Sequence, residues 1–209
     1  MKILKSNFII ALAALFIGSS AFAQFEITPQ AGYQIGSKYS YNGGYFKLTD
    51  GAQYGLTLNF DINPVGGQVE IMYAYQGADL RVQDYFIPEL SNETFITNMT
   101  AHHVQFGFIQ NFNEDEAFRP FIGMSAGFTI FDPSDSLYES RTKFSFGLTG
   151  GIKYFFTDRL GMRIQAQLLM PIEWGGVYYT NGGGVITTGG TLVQLNFTGG
   201  LIFRLGGDS

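Results

Sequence analysis

Apolar and polar residues alternate with a period of two along most of the chain after residue 24. Between Phe25 and Ile35 the odd positions are mostly apolar, whereas the even positions carry polar or small residues. A β-strand shows this pattern when its two faces meet different surroundings. The same alternation recurs in segments that begin near Ala52, Gln68, Val104, Arg119, Phe144, Leu160 and Val193. The pattern therefore predicts eight strands.

The predicted connections alternate between short and long. The short ones lie near residues 62–67, 113–117 and 157–159, and the long ones near residues 37–50, 77–98, 132–142 and 172–190. This asymmetry is typical of a transmembrane barrel that has short periplasmic turns and long outer loops. The predicted fold class is therefore all-β, an eight-stranded antiparallel up-and-down transmembrane β-barrel with both chain ends on the periplasmic side.

The composition agrees with a surface that partly faces something other than water. Aromatic residues make up 16% of the chain and charged residues only 14%, against roughly 25% charged residues in an average soluble domain. A bilayer also requires the sheet to close, since open sheet edges find no hydrogen-bond partners in hydrocarbon. Eight strands enclose a lumen that side chains are just able to fill.

Residues 1–23 have the pattern of a secretory signal peptide. Lys2 and Lys5 precede an apolar run at residues 8–17, and Ala21-Phe22-Ala23 forms a small-x-small cleavage site. We therefore expect cleavage after Ala23 and a single barrel domain over residues 24–209. The chain has no cysteine, which excludes an acylated N-terminus. Without the two signal lysines the acids outnumber the bases more strongly, and this argues against a nucleic-acid partner.

Two segments carry a family resemblance. Residues 119–127 (RPFIGMSAG), which enter a strand after a short polar turn, and the hairpin at residues 150–163 resemble the small outer-membrane β-barrel superfamily. That superfamily includes the OmpA-like, OmpX-like and OmpW-like domains that are often labelled porin family. The resemblance implies the bacterial outer membrane as the location. It also implies outer-membrane lipids, lipopolysaccharide and the assembly machinery as partners, and an extracellular ligand that the long loops contact.

The sequence contains no catalytic, metal or cofactor constellation, and we expect a protein that is not an enzyme. His102 and His103 are adjacent, so in a strand they point to opposite faces and chelate one ion poorly. Some eight-stranded barrels that this chain resembles cut acyl chains from lipid A with a Ser, a His and an acid. Their His-x-Ser-Asn signature is absent here. Thr100 lies two residues before His102, which is the wrong order and the wrong residue for that signature.

Several charged residues are predicted to face the lumen near its periplasmic end. They are Glu26, Glu70, Arg119, Lys153, Arg163 and Arg204. Charges that are held out of water must pair and accept hydrogen bonds, or their burial is costly. We expect these residues to form a plug, with Met72, Phe121, Leu169 and Leu192 filling more of the lumen. The alternative is that the charges line a wet rim.

Two groups of aromatic residues fall in the predicted long loops. They are Tyr39, Tyr41 and Tyr45 in the first loop and Trp174, Tyr178 and Tyr179 in the last. Each group is interpreted as an aromatic girdle at the membrane interface or as a surface for a ligand. The leading functional hypothesis is a structural barrel that makes contacts through its outer loops. The alternatives are transport of small or hydrophobic solutes, a lipid A-modifying enzyme, and a lipocalin-type carrier, whose Gly-x-Trp signature is absent.

Overall fold

A computed structural model describes residues 24–41, 43–113, 116–135, 139–179, 185–191 and 193–206. The strands are β1 (Phe25–Ile35), β2 (Lys38–Tyr41), β3 (Gly44–Leu48), β4 (Gly51–Asp61), β5 (Gly67–Asp84), β6 (Thr94–Asn111), β7 (Phe118–Pro133), β8 (Arg141–Phe155), β9 (Leu160–Tyr179), β10 (Val185–Thr191) and β11 (Gln194–Leu205). One turn of 3-10 helix follows β5 at Pro88–Leu90. Among the described residues, no helix is long and apolar enough to cross a membrane. The predicted signal peptide lies outside the described residues.

Eight of these strands close into a barrel. Their order around it is β1, β4, β5, β6, β7, β8, β9 and β11, and the pairing of β11 with β1 completes the ring. Every neighbouring pair is antiparallel. Full closure leaves no unpaired edge within the ring. The predicted fold class is confirmed.

The two faces of the barrel follow the alternation in the sequence. In β1, for example, Glu26, Thr28, Gln30 and Gln34 are buried, and Tyr33 and Ile35 are exposed. The buried positions of the barrel are mainly polar and the exposed ones mainly apolar, which is the reverse of a water-soluble domain. Met72, Phe121 and Leu169 point into the lumen as predicted, while Leu192 lies outside the described residues.

The short turns form one end of the barrel, as the sequence predicts. The first turn connects Asp61 to Gly67, and Gly66 adopts a positive φ of 87° that favours glycine. The second follows Asn111, with residues 114 and 115 outside the described part of the chain, and the third joins Phe155 to Leu160. We call this end of the barrel the short-turn end.

Three of the four predicted long loops are largely strands, which corrects the sequence interpretation. β5 and β6 each have 18 residues and take up most of the predicted loop 77–98, while β9 runs on for 20 residues and pairs with β10. The loop 37–50 contains the β2–β3 hairpin, and β3 pairs with β5 where β4 has ended. Both faces of these parts are mixed in polarity, so the period-two signal that marks a strand between two different media is lost.

The longest strands project beyond a bilayer. At about 3.3 Å per residue, the 18 residues of β5 span roughly 60 Å, or about 45 Å along the axis at the usual tilt of about 40°. The apolar band of a barrel is only about 25 Å tall. Therefore β2, β3 and residues 77–101 stand outside the apolar band, and we call them the outer extension.

Candidate functional site

A buried ion pair lies in the lumen near the short-turn end. Glu26 of β1 and Lys153 of β8 are each 1% exposed, and Nζ of Lys153 lies 2.5 Å from Oε2 of Glu26. The same ammonium donates to Oε1 of Gln68 at 2.7 Å. On the other carboxylate oxygen, Nη2 of Arg204 donates at 2.8 Å. Both oxygens of Glu26 are thus paired, which a buried carboxylate requires.

A second ion pair crosses the whole barrel. Arg163 of β9 and Glu70 of β5 come from strands that have three others between them on either side. Nη1 of Arg163 lies 2.7 Å from Oε2 of Glu70, and the Asn59 side chain bonds to both partners, at 3.1 Å and 2.9 Å. Nε of Arg163 donates to Oε1 of Gln165 at 2.6 Å. The guanidinium is therefore fixed across the lumen axis.

The ring of Phe121 fills the space beside the two ion pairs. It is 1% exposed, the guanidinium carbon of Arg163 lies 4.4 Å from its centroid, and Nζ of Lys153 lies 5.8 Å away. Gly151 opposite it on β8 has no side chain, and a Cβ there would meet the ring at 2.8 Å. The glycine lets the aromatic ring lie flat against the wall, and cations stack on such a ring favourably.

Arg119 lies at the edge of this cluster rather than inside it. Its Nε donates to the carbonyl oxygen of Glu116 at 2.9 Å, and its guanidinium lies 4.7 Å from the ring centroid of Phe155. Arg204 covers the same ring at 4.0 Å. The structure therefore brings together five of the six predicted lumen charges and places Arg119 at the rim. We call Glu26, Glu70, Lys153, Arg163 and Phe121 the plug.

A layer of neutral amides lies further along the lumen. Gln34, Gln53, Gln76, Gln194 and Asn196 are all 0–1% exposed. On the opposite wall, Gln105 donates to Ser145 at 2.6 Å. Buried side chains thus lie in the lumen at these two levels, and of the two only the level near the short turns carries charge.

The two histidines face opposite sides of β6, as predicted. His103 is buried in the lumen, with Nδ1 3.0 Å from Oγ1 of Thr129. His102 faces outward between two tyrosines, and its Nδ1 lies 2.9 Å from the Tyr73 hydroxyl. Among the described residues, no three His, Cys, Asp or Glu side chains are grouped to hold a metal ion.

The aromatic residues of the first and last predicted loops lie in the strands beyond the apolar band. Tyr45 is half-buried, with Nζ of Lys38 3.5 Å from its ring centroid. Tyr39 and Tyr41 lie on β2, and Trp174, Tyr178 and Tyr179 lie on β9; their side chains are outside the described part of the structure. Tyr178 pairs with Ile186 of β10 through the backbone.

Outward-facing aromatic residues form two belts, which the alternation in the sequence marks only as apolar positions. One belt near the short turns, which we call the inner aromatic belt, contains Phe25, Phe60, Phe118, Tyr154, Phe156 and Phe203. The other contains Tyr33, Tyr54, Tyr75, Phe128, Phe144 and Phe197. On β1 the belts are separated by eight residues, or about 20 Å along the axis for a tilted strand. Belts at this spacing mark the two interfaces of a bilayer.

Comparison with known families identifies the chain. The family described as outer membrane protein beta-barrel domain matches residues 9–197. The chain belongs to this family. It is thus an integral protein of the bacterial outer membrane. A search among curated proteins finds no match.

Solved structures share the fold of this outer-membrane barrel at low sequence identity. Neisserial surface protein A is 14% identical, with a TM-score of 0.56 over 87% of this chain and 97% of that protein. The outer membrane protein OprG from Pseudomonas aeruginosa is 12% identical, with a TM-score of 0.64 over 89% of this chain and 97% of that one. The N-terminal barrel domain of OprF from the same organism is 11% identical, with a TM-score of 0.52 over 87% and 97%. These likenesses concern the fold alone.

Proposed function

We propose that this outer-membrane barrel is closed to solutes and acts at the cell surface through its outer extension. The observation that carries the proposal is the Arg163–Glu70 ion pair, which spans the lumen between opposite strands at 2.7 Å. A solute on the lumen axis would have to separate two buried charges. Removing one partner of such a pair costs about 3–5 kcal/mol, so spontaneous opening of the plug is rare.

The outer extension is held together by side-chain contacts around Glu93. The Lys47 ammonium donates to both oxygens of Glu93, at 3.3 Å and 3.2 Å, and the Tyr45 hydroxyl donates at 3.1 Å. Nη1 of Arg81 lies 3.5 Å away. These partners, Lys47 first, hold the pKa of the Glu93 carboxyl below its ordinary value. The contacts join β3, β5 and the segment before β6, and this favours an ordered outer extension.

The tip of the outer extension carries exposed apolar side chains. Phe86 is 78% exposed, and Tyr85 and Ile87 beside it are also exposed. Their backbone is nevertheless fixed, since the Tyr85 N–H donates to the Gly43 carbonyl at 2.7 Å and the Phe86 N–H to Oδ1 of Asp84 at 2.8 Å. Apolar groups that are exposed together outside a membrane mark contact surfaces. We propose residues 85–87 as part of the surface that meets a partner.

Planar-bilayer recording tests whether the lumen is closed. We expect the purified wild-type protein to give no stable, large conductance steps. The Glu70→Ala, Arg163→Ala double variant removes both charges of this pair without leaving one unpaired, and it should conduct ions better than the wild-type protein, although the Glu26–Lys153 pair still narrows the lumen. Gln53→Ala in the amide layer is the matched control and should stay closed, because the plug is intact. Large, stable steps from the wild-type protein would refute the proposal.

Surface labelling tests the orientation. The chain contains no cysteine, so a single introduced cysteine is the sole target for a membrane-impermeant maleimide. Phe86→Cys at the tip of the outer extension should react in intact cells, whereas Asp158→Cys in a short turn should react only after the outer membrane is opened. The reverse pattern would place the outer extension in the periplasm.

A further inference from the structure

The outer end of the lumen contains a cavity with a lining unlike the rest of the interior. Its volume is about 260 Å³, and we call it the vestibule. The apolar residues that line it are Phe46, Leu48, Leu80, Met99, Phe131 and Pro133. Within the apolar band the inward positions of the same strands are mostly polar or small. Apolar residues therefore predominate among the inward positions only where the wall has left the bilayer, and packing against lipid does not explain them.

The strand register makes the apolar lining continuous. Leu48 of β3 pairs with Leu80 of β5, and Met99 of β6 pairs with Pro133 of β7. Met99 also lies opposite Ala78, two positions before Leu80 on β5. One wall of the vestibule is thus an apolar strip across four adjacent strands, large enough to cover a single hydrocarbon chain.

The other wall carries charge. Arg141 and Lys143 of β8 line the vestibule together with one carboxylate, that of Glu139. The register places Arg141 beside Phe131 and Lys143 beside Thr129, so the cations border the apolar strip directly. The lining is therefore apolar on one side and net positive on the other. This combination complements an amphiphile with an anionic head group.

The vestibule has a floor. Ala101 and His103 of β6 are buried below Met99, and the amide layer and the plug lie beneath them. A molecule that enters from outside therefore meets these described side chains before it reaches the periplasm, and the vestibule is suited to binding rather than to conduction.

We propose that the vestibule binds a single-chain amphiphile with an anionic head, such as a medium-chain carboxylate, from outside the cell. Its chain lies on the apolar strip, and its head group meets Arg141 and Lys143. This inference deepens the proposed function by giving the outer extension a ligand class. It also differs from the closed-lumen proposal in its test, because binding and conductance are measured independently.

The test uses the full-length barrel in phosphatidylcholine nanodiscs, with methionine methyl groups labelled with ¹³C and decanoate as the probe. We expect the Met99 methyl signal to shift with saturation as decanoate is added. Met72, which is buried deeper in the lumen, serves as an internal reference and should not shift. Met124 on the lipid face (67% exposed) reports decanoate that merely enters the bilayer, and its shift should not saturate.

Charge variants separate specific binding from partitioning. Losing the charge-assisted contacts in the Arg141→Gln, Lys143→Gln double variant should weaken decanoate binding roughly tenfold or more, while Glu139→Gln should strengthen it. Decyltrimethylammonium, which has a similar chain and the opposite charge, should bind the wild-type protein more weakly than decanoate. The proposal is overturned if Met99 does not shift with saturation, or if the cationic and anionic probes bind equally. A closed lumen would stand in either case.

Discussion

Replacing Arg163 with alanine should destabilise the folded barrel by about 3–5 kcal/mol. The substitution leaves the Glu70 carboxylate buried, with the Asn59 amide still donating a hydrogen bond to it. It also removes the guanidinium that lies against Phe121 and leaves a space across the lumen. Urea unfolding of the refolded protein in lipid vesicles, followed by the gel shift between folded and unfolded barrel, measures the loss.

The matched control is Arg159→Ala. Arg159 is an exposed arginine in a short turn, and substitutions at such positions usually change stability by no more than about 0.5 kcal/mol. Adding Glu70→Ala to Arg163→Ala should recover part of the loss, because no unpaired charge then remains in the lumen. Equal losses from Arg163→Ala and Arg159→Ala would mean that the ion pair contributes nothing to the fold.

The alternation in the sequence predicts which face a residue occupies but not its partner. Successive side chains on a strand point to opposite faces, so Glu70 and Arg163 were both assigned to the lumen. Their pairing depends on which strands lie opposite each other and on the stagger between them. The period of two specifies neither the opposing strand nor the stagger. For the same reason the pattern predicts the face that a side chain occupies better than its depth along the lumen axis. Arg119, for example, lies at the rim, where it contacts the carbonyl of Glu116.

The outer extension was missed because its strands lack the signal on which the prediction rests. Over residues 67–76 the side chains of β5 alternate between the lipid face and the lumen face. The residues that follow are Gly77, Ala78, Asp79, Leu80 and Arg81, and they show no clear period. The pairing with β6 nevertheless continues to Val82 through backbone hydrogen bonds, with one irregularity after Leu80. Backbone pairing needs no particular side-chain pattern, and this is why residues assigned to loops form the wall of the vestibule.

The second large effect is expected on the lipid face. Met124→Arg should destabilise the barrel by about 2–4 kcal/mol, the cost found for arginine at the midplane of a bilayer. Met124 lies on β7 between Phe108 and Leu148 of the neighbouring strands, and its side chain is 67% exposed. It lies six residues after Phe118 of the inner aromatic belt, or about 15 Å along the axis of a tilted strand. The side chain of an arginine there reaches either interface poorly.

Leu205→Arg is the control on the same face. Leu205 is exposed and pairs with Phe25 of the inner belt, so an arginine there reaches water and should cost no more than about 1 kcal/mol. A lumen position is a poor control, because Gln165 already accepts the Nε–H of Arg163 and donates to Gln30. An arginine at Gln165 would set a second buried cation beside the first. If vesicle unfolding gives the same loss for Met124→Arg and Leu205→Arg, the membrane band assigned from the aromatic belts is misplaced.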